Sequence, residues 1–76
     1  MIVRPKNVEL TFNNDLMLLK VNGDLYQVSL SKASSRLSKA SDMEKSLYKL
    51  SPSGYGIHWP LIDEDLSIEY LIKIAD

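Results

Sequence analysis

The sequence predicts one α+β domain. It reads as an antiparallel β-meander with a C-terminal hairpin, packed against one or two middle helices and a short C-terminal helix. Three observations predict this. Apolar and polar residues alternate from Val8 to Phe12, which is the period of a strand with one buried face. Asn22-Gly23 separates two strand-like runs, and that dipeptide is the strongest short hairpin signal. From Leu30 the apolar spacing changes to three and four, the period of a helix.

The elements follow in order. Val8, Leu10 and Phe12 face one way, Glu9 and Thr11 the other. Asn13-Asn14-Asp15 makes a turn, because short polar side chains bond their own backbone and tolerate positive φ. Leu16 to Val21 is nearly all apolar and predicts a central strand covered on both faces. Asn22-Gly23 predicts a type I′ turn, with positive φ at both residues. The returning strand, Leu25 to Leu30, sets Tyr26, Val28 and Leu30 against Gln27 and Ser29.

Leu30, Ala33, Leu37 and Ala40 make one helical stripe, with Lys32, Ser35, Arg36 and Lys39 opposite. Ser41 and Glu44 match a capping box and open a second short helix over Asp42 to Leu47. Ser51-Pro52-Ser53-Gly54-Tyr55-Gly56 is the densest turn signal. Short strands flank it at Tyr48 to Leu50 and at Gly56 to Trp59, and Pro60 ends the second for want of an N–H. Asp63-Glu64-Asp65 reads as an acidic turn. Ser67 caps the closing helix, with Glu69 in its first turn and Leu66 and Leu71 placed for a hydrophobic staple. Ile68, Leu71, Ile72 and Ala75 form its inward stripe. No repeat or linker divides the chain, so residues 1–76 are expected to form one domain.

Composition narrows the function. A formal charge of −1 gives no overall nucleic-acid or membrane footprint. With no cysteine there is no disulfide scaffold, thiolate zinc site or cysteine nucleophile. The longest apolar run, Leu16-Met17-Leu18-Leu19, falls far short of the roughly 20 residues of a membrane span. The N-terminus shows no charged-apolar-small secretory pattern. No membrane partner and a cytoplasmic location are the resulting expectations. Charge is uneven along the chain: residues 1–50 hold eight basic and five acidic groups, and residues 51–76 hold one basic and five acidic. The C-terminal part therefore suits a basic partner. A domain this small buries only about 60% of its unfolded surface, so tight packing, self-association or a partner must help it. A homodimer through an open sheet edge would serve.

Each candidate site has a plainer reading beside it. His58, the only histidine, lies in a strand, where Asp63 or Asp65 could approach it; a surface histidine is the simpler account. Asp63, Glu64 and Asp65 form either a solvated loop favouring the final helix, a partner-binding patch, or a hard-cation site. The spacing of a calcium loop is absent. Lys32, Arg36 and Lys39 share a helical face that is either solvated surface or a phosphate contact. Trp59 and Tyr55 offer large, stiff contact area, and Trp59 either fills the core or stands in an interface. Ser51, Ser53 and Ser67 have no identifiable base, and Gly54-Tyr55-Gly56 lacks the setting of a phosphate loop.

The stretch Leu50-Ser51-Pro52-Ser53-Gly54-Tyr55-Gly56-Ile57-His58-Trp59-Pro60, running into Asp63-Glu64-Asp65-Leu66-Ser67, resembles a small bacterial family known as domain of unknown function twenty-four forty-two. The meander with its Asn22-Gly23 turn and the segment around Arg36 and Leu37 also fit, so the resemblance covers nearly the whole chain. Tyr70 departs from it, where similar sequences often carry glycine. The resemblance implies an α+β domain without an agreed enzymatic activity. It also implies a second small protein encoded nearby, in a pair of toxin–antitoxin type. On that analogy the chain is a non-catalytic protein-binding module, the antitoxin-like half of the pair. Tyr55, His58 and Trp59 would meet the partner, with Asp63, Glu64 and Asp65 facing its basic residues. The alternative is a nucleic-acid-binding regulator using Lys32, Arg36 and Lys39. Neither reading needs a catalytic residue, a cofactor or a metal.

Overall fold

In a computed structural model of the protein, residues 7–76 are described. The reading of the N-terminus as lacking a secretory pattern falls largely on residues 1–6 and lies outside the described residues.

The meander forms as the sequence predicts. Strands β1 (Val8–Asn13), β2 (Leu16–Val21) and β3 (Asp24–Ser29) make an antiparallel sheet in the order β1-β2-β3. Both connections are two-residue turns. Asn14 takes φ 54° in the first, and Asn22 and Gly23 take 51° and 94° in the second, as a type I′ turn requires. β2 is central but is not covered on both faces. Met17, Leu19 and Val21 are buried, Leu16 and Leu18 are half-buried, and Lys20 is exposed. An antiparallel sheet needs only one face packed, so an apolar run can still leave one face wet.

The stripe from Leu30 to Ala40 is not one helix. It divides into α1 (Leu30–Ala33) and α2 (Ser35–Ser38), because Ser34 between them is extended, with φ −164° and ψ 121°. The Ser34 hydroxyl accepts the Leu37 N–H at 3.1 Å, so the break in one helix is the N-cap of the next. Helix α3 (Asp42–Ser46) carries the expected capping box. The Glu44 N–H donates to Ser41 Oγ at 3.2 Å, and the Ser41 N–H donates to Glu44 Oε1 at 2.8 Å.

The expected C-terminal hairpin forms from β4 (Lys49–Leu50) and β5 (Gly56–Trp59), and a third strand the sequence did not announce, β6 (Glu64–Ser67), extends it to a three-stranded second sheet in the order β4-β5-β6. Glu64 and Asp65 are therefore strand residues, not part of an acidic loop. Only Asp63 sits in the turn, at φ 51°. The closing helix α4 (Ile68–Ile74) begins where predicted, with Ser67 Oγ accepting the Tyr70 N–H at 3.0 Å.

One core unites these parts. Met17, Leu19 and Val28 of the first sheet, Leu30 and Leu37 of the middle helices, Ile57 and Trp59 of the second sheet, and Ile68 and Leu71 of α4 are all buried in one cluster. Trp59 has no exposed surface. Its indole N–H donates to the Lys45 carbonyl at 3.0 Å, and Tyr48 lies 6.4 Å away, ring to ring. Fully burying an indole requires such a partner for its N–H. Among the described residues no helix is long and apolar enough to cross a membrane.

Candidate functional site: the outer face of the second sheet

The register of the second sheet determines which side chains meet. His58 stands opposite Lys49 on β4 and opposite Asp65 on β6, so the three form one cross-strand row. Trp59 stands opposite Glu64, and Ile57 opposite Leu66 and Leu50, in the alternate rows. Ile57 and Trp59 are buried, so alternation turns the Lys49–His58–Asp65 row outward.

In that row His58 Nδ1 lies 2.8 Å from Asp65 Oδ1. With Asp65 ionised, its carboxylate can only accept, and the hydrogen bond is then donated by the ring N–H at Nδ1. The His58 side chain is 40% exposed and that of Asp65 75%. Beside them lies a shallow groove of about 220 Å³ bounded by Ser51, Gly56, His58, Asp65 and Ser67. The turn at its rim is tied by Ser51, whose hydroxyl accepts the Gly56 N–H at 3.0 Å. Gly54, at φ 81°, is the turn glycine that needs its conformational freedom.

The remaining predicted site residues are distributed unexpectedly. Trp59, expected to meet a partner, is core and presents no surface. Tyr55 is 40% exposed, and its carbonyl accepts the Ile68 N–H at 2.9 Å. The Glu64 carboxylate turns toward the middle helices and accepts the hydroxyl proton of Ser34; its other oxygen accepts the Asp65 N–H at 3.0 Å. The Asp63 carbonyl accepts from Arg36 at 2.8 Å. Lys32 forms an ion pair with Asp76 at 3.2 Å, and its carbonyl is within 3.5 Å of the Tyr70 hydroxyl. Lys39 is exposed at the C-cap of α2.

The basic residues thus do not share one helix face. Lys32 and Arg36 lie on separate short helices, and each meets the acidic C-terminal part of the same chain. No group of three or more His, Asp and Glu side chains comes together as a metal site among the described residues. Of the acidic triplet only Asp65 reaches His58. The exposed Leu61, 51% accessible next to the Asp63 turn, escaped the sequence reading. Leu61 and Ile62 are adjacent in a turn, where no strand or helix period says which of the two faces the core, and the structure turns Ile62 toward it.

Fold and site together define a small α+β module built of two three-stranded antiparallel sheets around a shared core, with an exposed His–Asp pair on the outer face of the second. The chain belongs to the family described as protein of unknown function (DUF2442), whose model matches residues 6–76. No curated protein and no solved structure matches it.

Proposed function

We infer that this protein is a non-catalytic protein-binding module, the antitoxin-like half of a two-protein bacterial system, and that it docks a small basic partner through its second sheet. One observation carries the reading. After Ser34 has engaged Glu64, Asp63 and Asp65 remain exposed, with Leu61 exposed beside Asp63 in the β5–β6 turn and Tyr55 exposed at the other end of β5. Apolar contact bordered by charge is the usual anatomy of a protein interface. An acidic rim also speeds capture of a basic partner and rejects acidic ones. His58 adds a donor tied to Asp65 and a flat ring at the surface. Trp59 supports this surface from beneath, holding β5 against the core.

The nucleic-acid alternative draws less support. Lys32 and Arg36 would have to give up Asp76 and the Asp63 carbonyl to reach phosphates. A gel-shift at low salt, with no retarded nucleic acid, would remove it.

The test of the main reading is calorimetric titration with the product of the neighbouring gene. Binding is expected, and it should weaken as salt rises. A variant combining Tyr55→Ala, Asp63→Ala and Asp65→Ala should lose at least about tenfold in affinity, or about 1.4 kcal/mol. Unchanged affinity would show that the partner sits elsewhere.

A further inference from the structure

The first sheet has two edges, and they are treated differently. On β3 the Gln27 carbonyl is taken by the Asp76 N–H at 2.8 Å, and α4 packs alongside. The other edge is β1. The Asn7 carbonyl accepts the Asn22 N–H at 2.8 Å, so Asn7 points its backbone groups toward β2. Backbone direction alternates along a strand. Glu9, Thr11 and Asn13 therefore also bond β2, and Val8, Leu10 and Phe12 turn their N–H and C=O groups outward. Among the described residues none of these outward groups has a partner. β1 pairs continuously with β2 without a bulge, contains no proline, and carries one charge, Glu9. Bulges, prolines and charges are the usual guards of an edge strand.

The geometry points to a second copy of this chain as the occupant of that edge, with β1 pairing antiparallel to its counterpart about a two-fold axis at Leu10. The strand is self-complementary in that register. Val8 meets Phe12 of the copy, Leu10 meets Leu10, and Phe12 meets Val8, so about six hydrogen bonds close the outward groups. On the outer face Glu9 stands opposite Thr11 at both ends, and no carboxylate faces another. Sliding by one pair toward the N-terminus places Glu9 opposite Glu9, a repulsive pair. Sliding the other way leaves Val8 without a partner. The half-buried apolar side chains of Val8, Leu10 and Phe12 would continue into those of the copy.

The space beside the strand accommodates this. An open groove of about 490 Å³ lies by Val8, Lys20 and Leu50, and another of about 510 Å³ lies by Leu10, Phe12, Asn13 and Tyr48. Leu50 is 41% exposed there. Because Val8 meets Phe12 across the axis, each copy's first groove faces the other's second. The result is a continuous six-stranded sheet. This edge is distinct from the outer face of the second sheet, so the inference stands or falls apart from the partner reading.

Sedimentation equilibrium of the full chain over a wide concentration range tests the association. A reversible dimer is expected, and a monomer throughout would overturn it. Thr11 is exposed, and Thr11→Glu places two carboxylates opposite Glu9 at both ends of the ladder. It should weaken the dimer at least about tenfold. Thr11→Lys should keep or strengthen it. A dimer indifferent to both changes would place the contact elsewhere. Amide exchange on the unaltered chain gives a readout that needs no variant. The Val8, Leu10 and Phe12 amides should gain protection as concentration rises. Exchange independent of concentration at these three, within a dimer, would assign it to another surface or to another partner of this edge.

Discussion

Ser34 shows how much one hydroxyl can settle. Its extended backbone separates α1 from α2, its oxygen caps α2, and its proton goes to Glu64 on the other side of the core. Removing it strips a cap worth about 0.5–2 kcal/mol and a hydrogen bond to a charged group worth about 1.5–3. The two losses share one atom and do not add. Ser34→Ala should therefore destabilise the protein by about 2 kcal/mol, read as a lower urea midpoint with an unchanged slope. Asp15 makes a second residue-scale case. The Ser38 hydroxyl donates to it at 3.0 Å and is the main cause that holds its carboxyl below the ordinary aspartate range; Ser31 and Ser29 assist. A carboxyl depressed on folding adds stability above its unfolded value, and that contribution is lost as pH falls through the folded value. The Asp15 contribution should thus fade only in acid, below the ordinary aspartate range. Carbon-detected titration of Asp15 checks this, and Ser38→Ala should move its midpoint upward. An unmoved midpoint would assign the shift to other donors.

At the scale of elements, local chemistry decided what could be read in advance. The meander was legible because its period and its turn residues lie next to each other in the chain. Gly23, at φ 94°, makes the dependence testable. A Cβ there would meet nothing within 4 Å, so Gly23→Ala isolates backbone strain from steric clash. The expected cost is about 1–2 kcal/mol by thermal or urea unfolding, and a neutral result would mean the turn had changed type. The capping box of α3 and the Ser67 cap were legible for the same reason. Other elements were not. The stripe through Leu30, Leu37 and Ala40 runs unbroken past Ser34, where the helix breaks; there Ser34 caps α2 and its hydroxyl donates to Glu64, thirty positions away in sequence. β6 was hidden because its inward residues are Glu64 and Leu66, so half of its buried-side signal is a carboxylate. The site inherited both limits. Its His58–Asp65 pair was one of two open pairings until the register of β5 and β6 chose between them. Trp59 alternates with His58, so its inward direction was readable. Its complete burial was not, because that depends on the Lys45 carbonyl waiting for its N–H.

Across the whole molecule, part of the charge asymmetry of the sequence is met inside the fold. Lys32 and Arg36 of the basic half meet Asp76 and the Asp63 carbonyl of the acidic half, and Ser34 meets Glu64 between them. Exposed ion pairs such as Lys32–Asp76 contribute little stability. Lys32–Asp76 ties α1 to the chain end beside β3, while Ser34 and Arg36 tie the middle helices to Glu64 and Asp63 at the second sheet. The firmer bond between the halves is the shared core. Neither three-stranded sheet has an apolar interior of its own: Met17, Leu19 and Val28 from one and Ile57 and Trp59 from the other belong to a single cluster. A domain of this size has a thin margin, and removing either sheet's contribution leaves the other without a buried face. The two sheets should therefore melt together. Trp59 is the only tryptophan, is fully buried, and lies in the second sheet, so its fluorescence reports that sheet. Far-UV circular dichroism reports both. At one fixed protein concentration the two signals should trace a single urea transition with one midpoint and one slope. An earlier fluorescence midpoint would mean that the second sheet opens while the meander persists. The core would then be divided in energy even though it is continuous in space.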